Sequence, residues 1–163
     1  MNILITGANG FVGKNLKVRL KEIKEKKDKT RKIHIDEIYE FNKDTDLVVL
    51  EDYCQKVNFV YHIAGVNRPK KKEEFKQGNI DFTGVLLSML KKYNNSSPIL
   101  LSSSIQATLK GRYKNSEYGL SKLKSEKLLF DYSMETNNKV LVYRLPNLFG
   151  KWCKPNYNSV IAT

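Results

Sequence analysis

Tyr118 and Lys122 form the residue pair whose types and spacing are most suggestive of chemistry. Residues four apart on a helix share one face, so the ammonium would lie beside the phenol. At roughly 4 Å in an intermediate dielectric, that charge contributes on the order of 4 kcal/mol, enough to lower the phenol pKa by about three units. Tyr118 would then exchange a proton with a substrate oxygen, and Ser104 would hold the same oxygen through its hydroxyl.

The tyrosine–lysine spacing is weak evidence by itself, because nine tyrosines in a lysine-rich chain produce chance matches. Tyr39 and Lys43 are such a match. They fall on a predicted strand and the turn after it, where residues four apart do not share a face around an active hydroxyl. Tyr118 and Lys122 fall on a predicted helix that follows the serine run 102–104, so they are the preferred pair.

A glycine-rich loop near the N-terminus predicts a phosphate-binding turn. Gly7, Gly10 and Gly13 lie between a short apolar strand and an amphipathic helix. Gly7 permits the tight turn, Gly10 lets a pyrophosphate approach the backbone, and Gly13 lets the helix pack close to the strand. The start of the helix offers N–H groups and a positive dipole to the phosphates. The residues expected to contact a dinucleotide here are Gly7, Asn9, Gly10, Phe11, Val12 and Gly13.

The end of the second strand should select the dinucleotide. NAD-selective domains place an acidic residue there, which holds the adenosine ribose hydroxyls. Asn42 followed by Lys43 suits a 2′-phosphate and favours NADPH. Glu40 is the rival position, and it would favour NAD(H) instead.

The hydrophobic pattern predicts an α/β fold in which five strands alternate with helices. Such a chain builds a Rossmann-like, doubly wound parallel sheet in a three-layer α/β/α arrangement, with ligands at the carboxyl ends of its strands. The predicted strands are 3–5, 37–42, 59–65, 99–101 and 140–143, and the predicted helices are 12–23, 47–57, 73–93 and 117–136.

Composition narrows the function classes. The chain has 163 residues, 40% of them hydrophobic and 28% charged, as in a single soluble domain. The net charge of +12 comes from dispersed lysines and does not predict nucleic-acid binding. No apolar run approaches the ~20 residues of a membrane helix, and no export signal is recognised, so a cytoplasmic protein is expected. Cys54 and Cys153 suggest no disulfide framework, and two histidines suggest no metal site.

Further motifs complete a family pattern: His62–Gly65 at a strand exit, 78–84 within a helix, and 144–150 near the end. With the glycine loop and the tyrosine–lysine pair, they make the chain resemble an extended short-chain dehydrogenase/reductase. The resemblance implies that Ala64 and Gly65 line the cofactor and that Asn79 orders water and backbone near the lysine. It also implies that the segment from Leu145 to Leu148 lies by the nicotinamide.

The tail at 144–163 is similar to bacterial capsular-polysaccharide reductases that use NADPH on UDP-linked 4-keto-6-deoxy-N-acetylhexosamines. That resemblance implies a UDP-sugar substrate and a homodimer formed through the helices 73–93 and 117–136. It also implies that residues 1–163 are one NAD(P)-binding domain, a fragment without the substrate-binding region and the C-terminal cupin-type domain.

Two other functions stay open. One is an NAD-dependent nucleotide-sugar 4-epimerase with the same residues, and the other is a non-catalytic NADP-binding module. Dehydration is rejected, because Ile105 and Gln106 follow the serines where dehydratases carry an Asp-Glu pair. Only about twenty residues separate the second strand from His62, so one sheet edge should be short.

Overall fold

A five-stranded parallel sheet forms the centre of the structure, a computed structural model that describes residues 1–155. The predicted fold class is therefore confirmed. The strands follow the apolar runs of the sequence, as buried parallel strands do. Their bounds are β1 Asn2–Thr6, β2 Glu37–Phe41, β3 Phe59–His62, β4 Ile99–Ser104 and β5 Val140–Leu145.

Helices fill the connections between the strands. Side-chain caps fix where two of them begin: Asp46 accepts from the Val48 N–H, and Ser116 accepts from the Gly119 N–H. The helices are α1 Phe11–Lys24, α2 Leu47–Lys56, α3 Glu73–Phe75, α4 Phe82–Lys92 and α5 Glu117–Thr136. A π-helical segment, Lys76–Asp81, joins α3 to α4, and short 3₁₀ turns occupy Ile105–Thr108 and Gly111–Tyr113.

The strand order is β2-β1-β3-β4-β5, so the winding reverses between β1 and β3. Ligands of doubly wound sheets bind at such a switch point, outside the carboxyl ends of the strands. The glycine loop follows β1 and the Ala64–Gly65 segment follows β3, so both border this crevice. Within residues 1–155, β2 is an edge strand of the sheet.

The two faces of the sheet are covered unequally. The larger core lies under α2, α4 and α5, where Leu50, Leu86 and Leu129 are fully buried. The smaller core lies under α1 and includes Leu20 and Ile23. In residues 1–155, no helix is long and apolar enough to cross a membrane.

Several predicted bounds were wrong: among the strands, β3 ends at His62 and β5 continues to Leu145. The helix predicted over 73–93 is divided by the π-helical segment Lys76–Asp81, since the Asn79 carbonyl bonds to side chains there. The strand predicted over 99–101 continues to Ser104, because Ser102–Ser104 pair in register with Tyr143–Leu145 of β5. This extension makes Ser104 the last residue of a strand.

Candidate active site

The glycine loop has the geometry that its sequence predicts. Gly7 has a φ of +75°, a left-handed conformation that favours glycine. A Cβ at Gly13 would lie only 2.2 Å from the Gly7 carbonyl oxygen, so α1 begins in direct contact with the loop. Gly10 is the N-cap of α1 and supplies no side-chain cap. The N–H groups of the first turn, from Phe11 and Val12 onward, are therefore presented at the crevice.

Asn42 and Glu40 have different surroundings at the end of β2. The Asn42 Oδ1 accepts a hydrogen bond of 2.8 Å from the Asn9 N–H, so Asn42 borders the glycine loop. Glu40 instead pairs with Lys17 of α1 at 2.8 Å. Lys43 follows Asn42 and is exposed. Asn42 is thus the residue at the end of β2 that bonds to the glycine loop, whereas Glu40 is paired with α1.

Ser104, Tyr118 and Lys122 converge beyond the carboxyl ends of β3 and β4. The Tyr118 hydroxyl hydrogen-bonds to the Ser104 hydroxyl. This bond connects the first turn of α5, which carries Tyr118, with the end of β4, which carries Ser104. A Cβ at Gly119 would lie 2.2 Å from the Gln106 carbonyl oxygen, so glycine allows α5 to approach this closely. The Lys122 side chain is 3% exposed. Its amino group lies under Gly65, because a Cβ added there would be 3.4 Å from Nζ.

Burial controls the ionisation of the pair. Loss of solvation lowers the pKa of Lys122 to about 8, while the Glu126 carboxylate acts in the opposite direction. Burial raises the pKa of the Tyr118 phenol, and the hydrogen bond with Ser104 opposes that rise. The expectation that Lys122 lowers the pKa of Tyr118 is therefore wrong for this structure. The physical reason is that burial disfavours the charged form of the phenol, and this is the largest influence on its pKa.

Asn79 lies in the π-helical segment and binds the backbone and side chains beneath the site. Its Oδ1 accepts from the Val66 N–H at 2.7 Å, and its Nδ2 donates to the Val66 carbonyl at 2.9 Å and to the Ser121 hydroxyl at 2.8 Å. Its main-chain carbonyl accepts from the hydroxyls of Thr83 and Ser125. The Asn79 side chain therefore orders the backbone beside Lys122. Its main-chain carbonyl oxygen is already hydrogen-bonded by the hydroxyls of Thr83 and Ser125.

A buried histidine supports the same region. His62 is 1% exposed, and burial lowers its pKa to about 3, so the ring is neutral. Thr83 donates to the Asn79 carbonyl, so its oxygen accepts from His62 Nε2 at 2.9 Å. The His62 Nδ1 then accepts from the Thr6 hydroxyl at 2.8 Å. This chain of hydrogen bonds connects β1, β3 and α4 beneath the crevice.

Glu126 was not among the functional residues predicted from the sequence. This glutamate is buried on α5, one turn beyond Lys122. Its carboxylate accepts from the Ser103 hydroxyl and takes a bidentate bond from Arg144, with Nη2–Oε2 at 2.6 Å. The available signal was an acidic residue four positions after the lysine, which places both on one helix face.

The remaining predicted residues border the crevice at their strand ends. Ala64 contacts the loop, because a Cβ at Gly7 would lie 2.8 Å from its backbone. Leu145 ends β5 opposite Ser104, and Leu148 follows it half-buried. The tail motif beyond Pro155, residues 156–163, lies outside the described residues. Among residues 1–155, no group of three histidine, cysteine or acidic side chains could hold a metal ion.

This arrangement combines a phosphate-binding loop with a hydroxyl pair and a buried amino group. The loop and the switch point fit an elongated anionic dinucleotide, since Gly7, Gly10 and Gly13 carry no side chain at the turn and at the start of α1. The hydroxyl pair can hold an oxygen and exchange a proton with it. The site is suited to proton transfer next to a bound dinucleotide.

The chain belongs to the NAD dependent epimerase/dehydratase family, which matches residues 3–163. The resemblance to the extended short-chain dehydrogenases/reductases is thereby confirmed. Family membership agrees with the strand order and with the glycine loop at its switch point.

Two relatives at high identity agree with the family. The chain is 41% identical over 163 residues to UDP-2-acetamido-2,6-beta-L-arabino-hexul-4-ose reductase of Pseudomonas aeruginosa, and it covers 40% of that protein. It is 48% identical to the capsular polysaccharide assembling protein CapF from Staphylococcus aureus, with a TM-score of 0.77. The match covers 99% of this chain and 40% of CapF. The chain thus spans about two-fifths of the length of these relatives.

A more distant solved structure shares the fold. RMD from Pseudomonas aeruginosa, complexed with NADPH, is 23% identical, with a TM-score of 0.73. The match covers 96% of this chain and 57% of RMD.

Proposed function

We propose that this chain is the dinucleotide-binding and catalytic part of an NADPH-dependent reductase. Its substrate would be a UDP-linked 4-keto-6-deoxy-N-acetylhexosamine, reduced at the C4 ketone during bacterial capsular polysaccharide biosynthesis. The convergence of Ser104, Tyr118 and Lys122 at the switch point carries the proposal. The relative from Pseudomonas aeruginosa, a reductase of a UDP-linked hexul-4-ose by its name, supports the substrate class.

The glycine loop and the strand exits would hold the dinucleotide. Its pyrophosphate suits the N–H groups at the start of α1, and its 2′-phosphate suits Asn42 and Lys43. Gly65 leaves room above Asn79 and Lys122 that a larger side chain would fill. Lys122 would donate to the ribose hydroxyls. When bound, the dinucleotide supplies the hydride that reduces the ketone carbon.

Tyr118 and Ser104 would act on the ketone oxygen. The Ser104 hydroxyl donates a hydrogen bond to that oxygen and orients the carbonyl. As the carbon is reduced, Tyr118 donates its proton to the same oxygen, and the product is an alcohol. The pKa of Tyr118 is raised by burial, so the phenol is protonated and able to donate at neutral pH. The ammonium of Lys122 then stabilises the phenolate until solvent returns the proton.

The direct test is reduction of the proposed sugar by the full-length protein. NADPH is mixed with the UDP-linked 4-keto-6-deoxy-N-acetylhexosamine, and the loss of NADPH absorbance is followed together with the sugar product. Stoichiometric formation of the 4-hydroxy sugar supports the proposal. A change in configuration at C4 without net NADPH consumption would instead identify the epimerase, and cofactor binding without either reaction would identify a non-catalytic module.

We also propose that the protein acts in the cytoplasm as a homodimer. Phe130 and Met134 lie one turn apart on α5 and are 47% and 77% exposed, which is unusual for large apolar side chains. A second copy packed against α4 and α5 would cover them. Cys54 and Cys153 are free thiols, as a reducing compartment permits.

A further inference from the structure

We infer that Glu126 is a positioning residue of this site: its buried carboxylate fastens α5 to the ends of β4 and β5 and places a negative charge one turn from Lys122. The activity readout of this inference rests on the proposed reductase function. Glu126 is 1% exposed, which is rare for a carboxylate unless it is paired. Its partners come from both strands that end at the site.

One carboxylate connects three elements. Ser103 of β4 donates to Glu126 Oε1, while Arg144 of β5 donates from Nε at 3.0 Å and from Nη2 at 2.6 Å. Ser103 and Arg144 are partners in the sheet register, so the two donors lie side by side. Ser103 directly precedes Ser104 in the chain. The carboxylate thereby fixes the distance between the strand that carries Ser104 and the helix that carries Lys122.

The charge of Glu126 has a second consequence. Glu126 on α5 acts on the charge of Lys122, and Lys122 in turn acts on His62 of β3. Tyr118 lies one turn before Lys122 on α5, and Arg144 of β5 binds Glu126. His62 is neutral because burial lowers its pKa to about 3, so Glu126 is the anion of this group. It raises the pKa of Lys122 against the effect of burial.

The bidentate bond with Arg144 gives this buried carboxylate a cationic partner. The Arg144 side chain is 41% exposed, so its own charge is partly solvated and reaches Lys122 weakly. Replacing Glu126 by an isosteric neutral amide would preserve the volume but remove the anion. The lysine would then lose its proton at a lower pH.

The experiment compares Glu126→Gln with Glu126→Asp, and with the paired substitution Glu126→Met and Arg144→Met, in the full-length protein. The Lys122 amino group is titrated by NMR of lysine-labelled protein, with its resonance assigned through Lys122→Arg. The pH profile of kcat is measured in parallel with the keto-sugar and NADPH. Glu135→Gln is the matched control, because Glu135 is an exposed carboxylate of α5 that pairs with Lys91.

In Glu126→Gln, the Lys122 titration and the basic limb of kcat should both move to lower pH. Glu126→Asp retains the anion and should restore the titration, while Glu135→Gln should match the wild type. An unmoved Lys122 titration in a folded Glu126→Gln variant, whatever its activity, would overturn the inference. If Glu126→Gln does not fold, the paired substitution Glu126→Met and Arg144→Met removes both charges of the pair together, and an unmoved Lys122 titration in that variant would also overturn the inference. A wild-type protein that does not reduce the sugar, but whose Lys122 titration moves in Glu126→Gln, would refute the proposed function and support the inference.

Discussion

At the scale of single residues, burial sets the pKa values of the titratable groups in the site. Lys122 and His62 are both buried bases whose pKa values fall, to about 8 and about 3. Tyr118 is an acid whose pKa burial raises. These directions follow from the same cost of burying a charge. They leave Tyr118 able to donate a proton and make Lys122 responsive to pH near neutrality.

Substitution of Tyr118 by Phe should remove the proton donor while retaining the ring that packs near Phe75, at a centroid distance of 6.0 Å. We expect kcat to fall by about 10²–10⁴-fold, the usual contribution of a positioned acid. NADPH affinity should change little. Steady-state kinetics and cofactor titration of the full-length protein measure both, with Tyr113→Phe as the control. Wild-type kcat in Tyr118→Phe would show that another group donates the proton.

The substitution Asn42→Asp tests the cofactor preference. Aspartate keeps an oxygen acceptor for the Asn9 N–H, 2.8 Å from the present Oδ1, but adds a negative charge beside the proposed 2′-phosphate. NADPH affinity should fall about tenfold or more, and the ratio of NADPH to NADH affinity should fall with it. Isothermal titration with each dinucleotide measures the ratio. Glu40→Gln, which loses the ion pairs with Lys17 and Lys21 of α1, should leave that ratio unchanged. An unchanged ratio in Asn42→Asp would remove Asn42 from the cofactor site.

At the scale of elements, close backbone contacts bring the site together. Two glycines, Gly13 and Gly119, each allow a helix to touch a neighbouring carbonyl oxygen. The π-helical segment Lys76–Asp81 directs Asn79 toward Ser121 and Val66. Bulges of this kind are frequent at functional sites. The elements therefore contribute geometry that no single side chain supplies.

The substitution Gly13→Ala should damage the glycine loop. The added Cβ would lie 2.2 Å from the Gly7 carbonyl oxygen and 2.8 Å from Ala8 Cα, so the backbone must shift. We expect a loss of about 1–3 kcal/mol in the free energy of unfolding, together with weaker NADPH binding. Chemical denaturation and cofactor titration provide the measurements. The control is Gly84→Ala on α4, where an added Cβ meets nothing within 4 Å and should stabilise by about 1 kcal/mol or less. Equal stability of the two variants would contradict the close contact.

His62 should make the connection of β1, β3 and α4 sensitive to acid. Its pKa is about 3 in the folded state against 6.5 for the ordinary side chain, so between these values the unfolded chain binds the extra proton. The free energy of unfolding should therefore fall by up to about 1.4 kcal/mol per pH unit as the pH decreases through this window. Urea denaturation at several pH values should give a shallower dependence in His62→Gln. The exposed His34 provides the control variant His34→Gln; identical slopes in the wild type and His62→Gln would contradict the buried neutral state.

At the scale of the whole molecule, the sheet is covered unequally. Leu141 and Tyr143 of β5 are 37% and 50% exposed, whereas the opposite face is closed by three helices. The α5 surface also presents Phe130 and Met134 to solvent. The chain covers 40% of the length of the reductase from Pseudomonas aeruginosa and of CapF. These apolar surfaces lie within residues 1–155.

Self-association through α5 can be tested on the full-length protein. The paired substitution Phe130→Glu and Met134→Lys should convert a dimer to a monomer in sedimentation velocity, because it places charges in an apolar contact. Val48→Lys is the control, since Val48 is 70% exposed on α2, away from this surface. A dimer that persists in the double variant would exclude this surface as the contact.

The sequence alone determined the fold class, the phosphate loop and the residues proposed for proton transfer. Periodicity and glycine spacing are local properties, so β1, α1 and the turn at Gly7 could be read from neighbouring residues. The same holds for Tyr118 and Lys122, which lie one turn apart on α5. Such turns and spacings are recognised without knowledge of distant contacts.

Tertiary structure decided what depends on groups far apart in the chain. The burial that raises the pKa of Tyr118, the bonds of Glu126 to Ser103 and Arg144, and the division of the helix at Asn79 all arise across elements. Desolvation depends on every atom packed around a group, so no local pattern reports it. Sequence spacing therefore proposed the residues, and the packing of α5 against β4 and β5 set their electrostatic state.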